Sequence, residues 1–356
     1  NEYFQSKKER CRTRLTLQYR LDDGSEMMRT GQWMRDKGFV SDMYTGGDLA
    51  EALESEVATL LGKESACWMP TGTMAQLIAL RLLADRAGYR TIGWHPSSHH
   101  LLHEQNAYSH VHDLESKVIS PWERPILASD IDQPHQLAAI SIELPVRWIG
   151  QTQTWAQLEE IKAAASDRDI PLMMDGARLW ETQPHFGRSY EDICRGFSAV
   201  YVSMYKRIGA PGGAVLAGDE DLIDSARIWR HRLGGNVFQN GLYLASALMR
   251  MEEVLPKLAA YRTRAIDLAE QLAHHPELIV MPNPPQTNLF RVFLPGEPGE
   301  LSQRRDQIAE STGIWVGDYF RASRVPGMAQ VELQIDDGLQ ANQVGNASRA
   351  FRDLIH

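Results

Sequence analysis

The sequence predicts an α/β fold, with a large domain on a mostly parallel sheet and a small C-terminal α+β domain. Two observations carry this. From about residue 45 to 255, short apolar runs alternate with helix-like segments of ten or more residues, the pattern of a parallel sheet covered on both faces. After about residue 255 the texture changes to mixed short strands and helices. The expected division is an N-terminal arm over 1–44, a large α/β domain over 45–255 and a small α+β domain over 256–356.

In chain order, the opening "NEYFQS" reads as a protease-tag remnant over 1–6 and is set aside. The rest of the arm shows little regular pattern. "SACWMP" reads as a strand and "MAQLIALRLLADRAG" as the helix after it. "LAAISIELP", "IPLMMD" and "AVYVSMY" read as further strands, with the helix "WAQLEEIKAAASDRD" between the first two. "EDLIDSARIWRHRL" opens another helix, and "NGLYLASALMRMEEVLPKLAAYRTRAIDLAEQLAHH" reads as long helices leading out of the domain. In the last hundred residues, "TNLFRVFL" and "QVELQI" are strands among the helices "ELSQRRDQIAEST" and "QVGNASRAFRDLIH".

The totals bound the function. A chain of 356 residues with 43% hydrophobic and 23% charged residues is an ordinary globular composition. A net charge of −9 and the lack of any Lys/Arg-rich block disfavour nucleic-acid and anionic-membrane partners. No apolar run approaches the ~20 residues of a membrane span, and no signal-peptide pattern is present. The three cysteines, Cys11, Cys67 and Cys194, are far apart and odd in number, which points to a reducing, cytoplasmic compartment without a disulfide framework.

In α/β sheets ligands sit at the carboxyl ends of strands, so polar residues that close apolar runs are the candidates. Thr71, Gly72 and Thr73 close one run and open a helix. Backbone N–H groups, hydroxyls and the helix dipole there favour a phosphate, although a Thr N-cap alone has the same signature. Asp175 closes "PLMMD". It caps the next helix, or holds a heteroaromatic nitrogen protonated. Lys206 follows "AVYVSMY" and precedes Gly209, Pro211, Gly212 and Gly213. Burying an ammonium without a partner is costly, so the lysine snorkels, pairs with an acid such as Asp175, or serves as a nucleophilic amine. The three features taken together match the anchors of pyridoxal 5′-phosphate (PLP): phosphate, ring nitrogen and aldehyde. A metal site is not expected. His99 and His103 are four residues apart, but no HExxH and no completing acid accompany them.

The stretches "PTGTMAQLIAL", "HHLLHE", "MMDGARLW", "YKRIGAPGGAVLAG" and "IWRHRLGG…Q", in this order, resemble the threonine aldolase and β-eliminating lyase group of fold-type-I PLP-dependent enzymes. The resemblance runs from about Tyr44 to "TNLFRVFL" and implies the fold-type-I PLP-dependent transferase fold. It implies that Lys206 is the Schiff-base lysine and Asp175 the pyridinium partner. Gly72 and Thr73 match the phosphate turn, His99 the imidazole stacked on the cofactor ring, and Arg178 a cofactor- or carboxylate-contacting arginine. It further implies a homodimer or homotetramer with the active site at the dimer interface, acting on a small-molecule amino acid substrate. The implied reaction is retro-aldol cleavage of a β-hydroxy-α-amino acid to glycine and an aldehyde. Cleavage of the α-proton instead gives β-elimination, and a retired PLP-fold binding protein is a third reading.

The chain departs from the group at three places. Glu332 stands in "QVELQI" where a carboxylate-gripping arginine is expected, leaving Arg178, Arg321 or Arg324 for that role. "ELPVRWIG" replaces an Asn-Thr-His segment, so Arg147 or His103 is expected to meet the substrate oxygen. Phe238 occupies the place of a phosphate-binding arginine, and Arg207, next to the lysine, is expected to supply the missing charge.

Overall fold

The structure is a computed structural model that describes residues 2–16, 22–132 and 136–356. The chain forms two compact units. The larger comprises Arg20–Val146 and Thr152–Leu255, and the smaller Asn1–Tyr19, Arg147–Gln151 and Pro256–His356.

The larger unit is organised on seven strands. They are β1 (Ser65–Met69), β2 (Thr91–Trp94), β3 (Glu115–Val118), β4 (Ala139–Glu143), β5 (Leu172–Gly176), β6 (Ala199–Ser203) and β7 (Ala214–Gly218). Their order is β1-β7-β6-β5-β4-β2-β3. β7 runs antiparallel to β1 and β6, and every other neighbouring pair is parallel. The carboxyl ends of β1, β2, β4, β5 and β6 therefore share one edge of the sheet. Every residue of β5 and β6 is buried, as helices on both faces of a parallel sheet require.

Local chemistry sets the helix ends. Thr71 caps the helix Gly72–Ala87 by accepting from Met74 N–H at 3.2 Å, and Gly88 ends it in the left-handed region at φ 74°. Thr154 and Gln157 form a reciprocal capping box at the start of Trp155–Ser166. Ile78, Leu80, Trp94, Met173 and Leu216 belong to the core these elements enclose.

The arm contradicts one expectation, because Asp23–Lys37 is a fifteen-residue helix. Its sequence lacks an apolar stripe, since its anchor is electrostatic. Glu26 is buried and accepts from Arg250 Nε at 2.8 Å, Arg250 Nη2 at 2.6 Å and Ser246 Oγ at 3.2 Å. Asp22 caps the helix through Ser25 N–H at 2.9 Å.

In the smaller unit, β8 (Ile279–Met281), β9 (Leu289–Pro295), β10 (Phe320–Ala322) and β11 (Met328–Gln334) form an antiparallel sheet in the order β10-β11-β9-β8. Phe290, Leu333, Phe351 and Leu354 are in its core. The segment set aside as a tag opens a helix, Glu2–Arg10. Lys7 of that helix pairs with Asp306 and Glu310, and Lys8 with Asp318. Among the described residues no helix is long and apolar enough to cross a membrane.

Candidate active site

The shared edge of the large sheet gathers the strand-end residues. β5 brings Asp175, and the turn after β1 brings Thr71, Gly72 and Thr73. The segment after β2 carries His99 and His103, and the segment after β6 carries Lys206 and Arg207. The strand expected to run to Tyr205 stops at Ser203, opposite Ala214. Beyond that pair the chain closes a loop, with Met204 N–H on Gly213 O at 3.1 Å and Ala210 N–H on Met204 O at 2.8 Å. Gly209 and Gly213 take φ of 88° and 94°, a conformation glycine adopts without cost. Lys206 is thus presented from a hydrogen-bonded loop, its N–H on Ser203 Oγ at 3.2 Å, and not from the strand itself.

Asp175 is buried and accepts from Ala177 N–H at 3.1 Å. Among the described residues no cationic side chain pairs with it. Two tyrosines surround it: Tyr201 and Tyr205 hydrogen-bond to each other, and both feel the Asp175 charge. Burial pushes the Tyr205 phenol up, and the Asp175 and Glu104 charges add to that, against the Tyr201 hydrogen bond. Tyr201 is pushed well above the ordinary range, first by burial. Neither tyrosine was singled out from the sequence. Tyr201 reads as one more strand residue, and only the close approach of Gly72 reveals it. A Cβ at Gly72 would lie 2.1 Å from Tyr201 Oη.

Arg178 and Arg207 are buried together with Glu181. Arg207 Nε donates to Glu181 Oε1 at 2.6 Å, and Arg178 Nη1 to the same oxygen at 3.4 Å. The formal charge of this triad is +1. Glu181 was missed in the sequence; its spacing of three from Arg178 was the available signal.

His99 and His100 both meet Glu104, at 2.8 Å from Nδ1 in each case. The His103 ring lies 5.0 Å from that of His99, and its N–H caps the short helix on His99 O at 2.9 Å. Thr71 and Tyr205 line a cleft of about 380 Å³ with Trp68, Pro70, Pro211, Gly212, Val237 and Tyr243.

The remaining candidates belong to the smaller unit. Arg147 meets Glu332 through Nε and Nη2, both at 3.1 Å. Arg291, opposite Glu332 in the β9–β11 register, donates to it at 3.0 Å from Nη2. Gln334 Nε2 adds a contact at 2.6 Å. Arg321 and Arg291 both lie over the Trp148 ring, at 5.3 and 5.6 Å. Glu332 is therefore a hub for arginines within its own unit.

The described donor set fits PLP. A buried carboxylate without a cationic side-chain partner suits a protonated ring nitrogen, because a buried charge needs a counter-charge. A lysine on the adjacent strand's loop suits the aldehyde, and a sixteen-residue helix opening with Gly72 and Thr73 suits the phosphate.

Comparison with known proteins places the chain in a family and a fold. The family model described as "Beta-eliminating lyase" matches residues 22–294. The chain is 28% identical over 301 residues to low-specificity L-threonine aldolase 1 of Arabidopsis thaliana, covering 77% of this chain and 80% of that protein. It is 26% identical over 238 residues to the low specificity L-threonine aldolase of Escherichia coli K12, covering 65% and 71% respectively. The crystal structure of a protein provisionally assigned as an L-allo-threonine aldolase, from Listeria monocytogenes EGD-E, superposes with a TM-score of 0.92 at 30% identity, covering 99% of each chain. The threonine aldolase of Leishmania major shares the fold at 17% identity, with a TM-score of 0.74 over 97% of this chain and 100% of that one.

Proposed function

This chain belongs to the β-eliminating lyase family, and we propose that it is a PLP-dependent lyase of threonine-aldolase type. Its reaction on this reading is retro-aldol cleavage of a β-hydroxy-α-amino acid to glycine and an aldehyde. The observation that supports it most directly is Asp175, a buried strand-end carboxylate with no cationic side-chain partner among the described residues, one strand away from the Lys206 loop.

The residues divide the work as follows. Lys206 would hold the cofactor's aldehyde carbon, Asp175 its ring nitrogen, and Gly72, Thr73 and the helix dipole its phosphate. Arg207, held by Glu181, would add positive charge near the phosphate. When bound, the cofactor supplies an electron sink for the pair released at the substrate α-carbon. His99 would lie against the cofactor ring and, with its outward nitrogen, take the proton of the substrate's β-hydroxyl. Arg178 would orient the substrate carboxylate. His103 would contact the substrate's polar atoms. Arg147 and Arg321 are further proposed substrate contacts, and Arg147 also pairs with Glu332.

We also propose a homodimer or homotetramer in a cytoplasmic setting. The larger unit exposes Met43, Tyr44, Phe238, Leu242 and Tyr243, and the Tyr44 and Phe238 rings pack edge to face at 5.2 Å. Such a patch suits burial by a second copy. The three cysteines are buried free thiols. Light scattering of the purified protein tests the assembly.

The deciding experiment is borohydride reduction of the PLP-loaded protein, peptide mapping, and assay on L-threonine, L-allo-threonine and a β-arylserine. The expected result is a label on Lys206 and release of aldehyde and glycine. A label elsewhere, or none, overturns the assignment. β-Elimination is the second reading, carried by the family itself; release of a 2-oxo acid and ammonia in place of glycine would select it.

A further inference from the structure

Glu104 uses both carboxylate oxygens on histidines. Oε1 meets His99 Nδ1 and Oε2 meets His100 Nδ1, each at 2.8 Å. The Glu104 side chain is 1% exposed, that of His100 is fully buried, and that of His99 is 40% exposed. The chain reaches this arrangement through an unusual turn. Gln105 and Asn106, directly after Glu104, take φ of 52° and 56°, a left-handed conformation costly for residues other than glycine.

The protonation pattern follows from the carboxylate. Burial alone would raise the Glu104 carboxyl, but the hydrogen bonds and charges of His100 and His99 outweigh it and hold the group down at about 2. An ionised carboxylate only accepts, so both imidazoles carry their hydrogen on Nδ1. In neutral His99 that leaves a lone pair on Nε2, the nitrogen that Glu104 does not hold. His100 has no such use for its second nitrogen. Its ring stacks on Trp94 at 5.3 Å and 25°, and its Nε2 is buried without a hydrogen-bond partner among the described residues. An unsatisfied buried nitrogen carries a desolvation cost, and a phenyl ring would stack there without it. What a phenyl ring lacks is the Nδ1–H that occupies Glu104 Oε2.

We propose that His100 is a positioning residue for the reaction: by holding the second oxygen of Glu104 it fixes that carboxylate against His99 and keeps His99 Nε2 as the proton acceptor. The inference rests on the lyase reading above. In the cleavage, the substrate's β-O–H bond breaks and its proton passes to His99 Nε2. The oxygen's pair becomes the new C=O bond as Cα–Cβ breaks, and the Cα–Cβ pair stays on the α-carbon until that carbon is protonated to glycine. His100 touches none of these atoms. It acts through Glu104, whose charge also reaches Tyr205 and His112.

The test uses the PLP-loaded enzyme with His100→Phe, which keeps the ring on Trp94 without the donor, and His100→Asn, which restores an N–H donor without the ring. For H100F, kcat falls roughly tenfold to a hundredfold, the scale of a misplaced catalytic group, with KM within twofold, and H100N recovers most of it. Ring 15N spectra of His99 shift from the Nδ1–H tautomer to a mixture in H100F and return in H100N. Wild-type kcat in H100F with an unchanged His99 spectrum overturns the proposal, as does an H100N variant worse than H100F, which would make the ring's packing the whole of its role. If H100F does not fold, Glu104→Gln is read instead. The same tautomer mixing with lost kcat supports the inference, and an unchanged His99 spectrum overturns it. Borohydride labelling separates the two levels, since a wild-type enzyme that labels no lysine refutes the lyase reading, whereas a labelled one insensitive to H100F refutes only this inference.

Discussion

Arg207 Nε lies 2.6 Å from Glu181 Oε1, and neither side chain reaches solvent. Arg178 shares that oxygen, so one buried carboxylate serves two guanidiniums. Truncating one partner of a buried pair leaves a charge unmatched, at a cost of about 3–5 kcal/mol. Glu181→Ala should lower the unfolding free energy by an amount of this order, read as a lower urea midpoint at unchanged m-value. An unshifted midpoint would show the triad to be energetically slack. Arg207→Ala should also weaken PLP binding, and equal cofactor affinity in that variant would remove Arg207 from the phosphate site.

The strand-end carboxylate makes a narrower prediction. Asp175→Asn keeps the shape and the Ala177 N–H contact but removes the charge opposite the proposed ring nitrogen. Loss of one charged hydrogen bond, about 1.5–3 kcal/mol, is roughly a ten- to hundredfold loss in kcat/KM. The visible spectrum of the bound cofactor should change with it. A variant with wild-type kcat/KM would sink the Asp175 role.

Gly72 has no room for a side chain, because a Cβ there meets Tyr201 Oη at 2.1 Å. Overpacking of this kind costs typically ~1–3 kcal/mol. Gly72→Ala should therefore lower Tm and, by pushing the turn outward, weaken the cofactor's hold. Melting at the wild-type temperature would refute the crowding.

Acid should destabilise the protein in two stages. Burial, aided by the Arg81 charge, pushes the His112 imidazole down to about 4 from an ordinary value of 6.5. The unfolded chain then binds a proton that the folded one refuses. Stability from His112 is full above pH 6.5 and is lost as pH falls toward 4, by about 3 kcal/mol. Glu104, held at about 2, loses its contribution lower, between pH 4.5 and 2. Urea midpoints from pH 7 to 4 should fall in the wild type and fall less in His112→Phe. Parallel curves would show that His112 is not the titrating group.

In the smaller unit, two arginines on Glu332 should behave differently. Arg291 is buried, and its guanidinium is pushed down by that burial; Arg147 is half exposed. Arg147→Ala should cost no more than about 1 kcal/mol, as solvent-screened pairs do. Arg291→Ala leaves Glu332 with its exposed partner and opens a hole at Trp148, so the larger loss of Tm belongs to it. Equal losses would contradict the burial argument.

The alternation of "SACWMP", "LAAISIELP", "IPLMMD" and "AVYVSMY" with amphipathic helices was enough to predict the parallel sheet, because burial on both faces writes itself into continuous apolar runs. The residues that interrupt those runs, Thr71, Asp175 and Lys206, were legible for the same reason: a polar group at the end of a buried strand is conspicuous. The helix Asp23–Lys37 was not, because it is held by Glu26 and Arg250, 224 residues apart. Nor were the turn that brings Glu104 back to two imidazoles, the carboxylate that Arg178 and Arg207 share, or the arginines around Glu332. Local sequence records which face of a segment avoids water; which distant charge neutralises a buried one depends on the folded chain bringing the two together, and only the tertiary structure decides that.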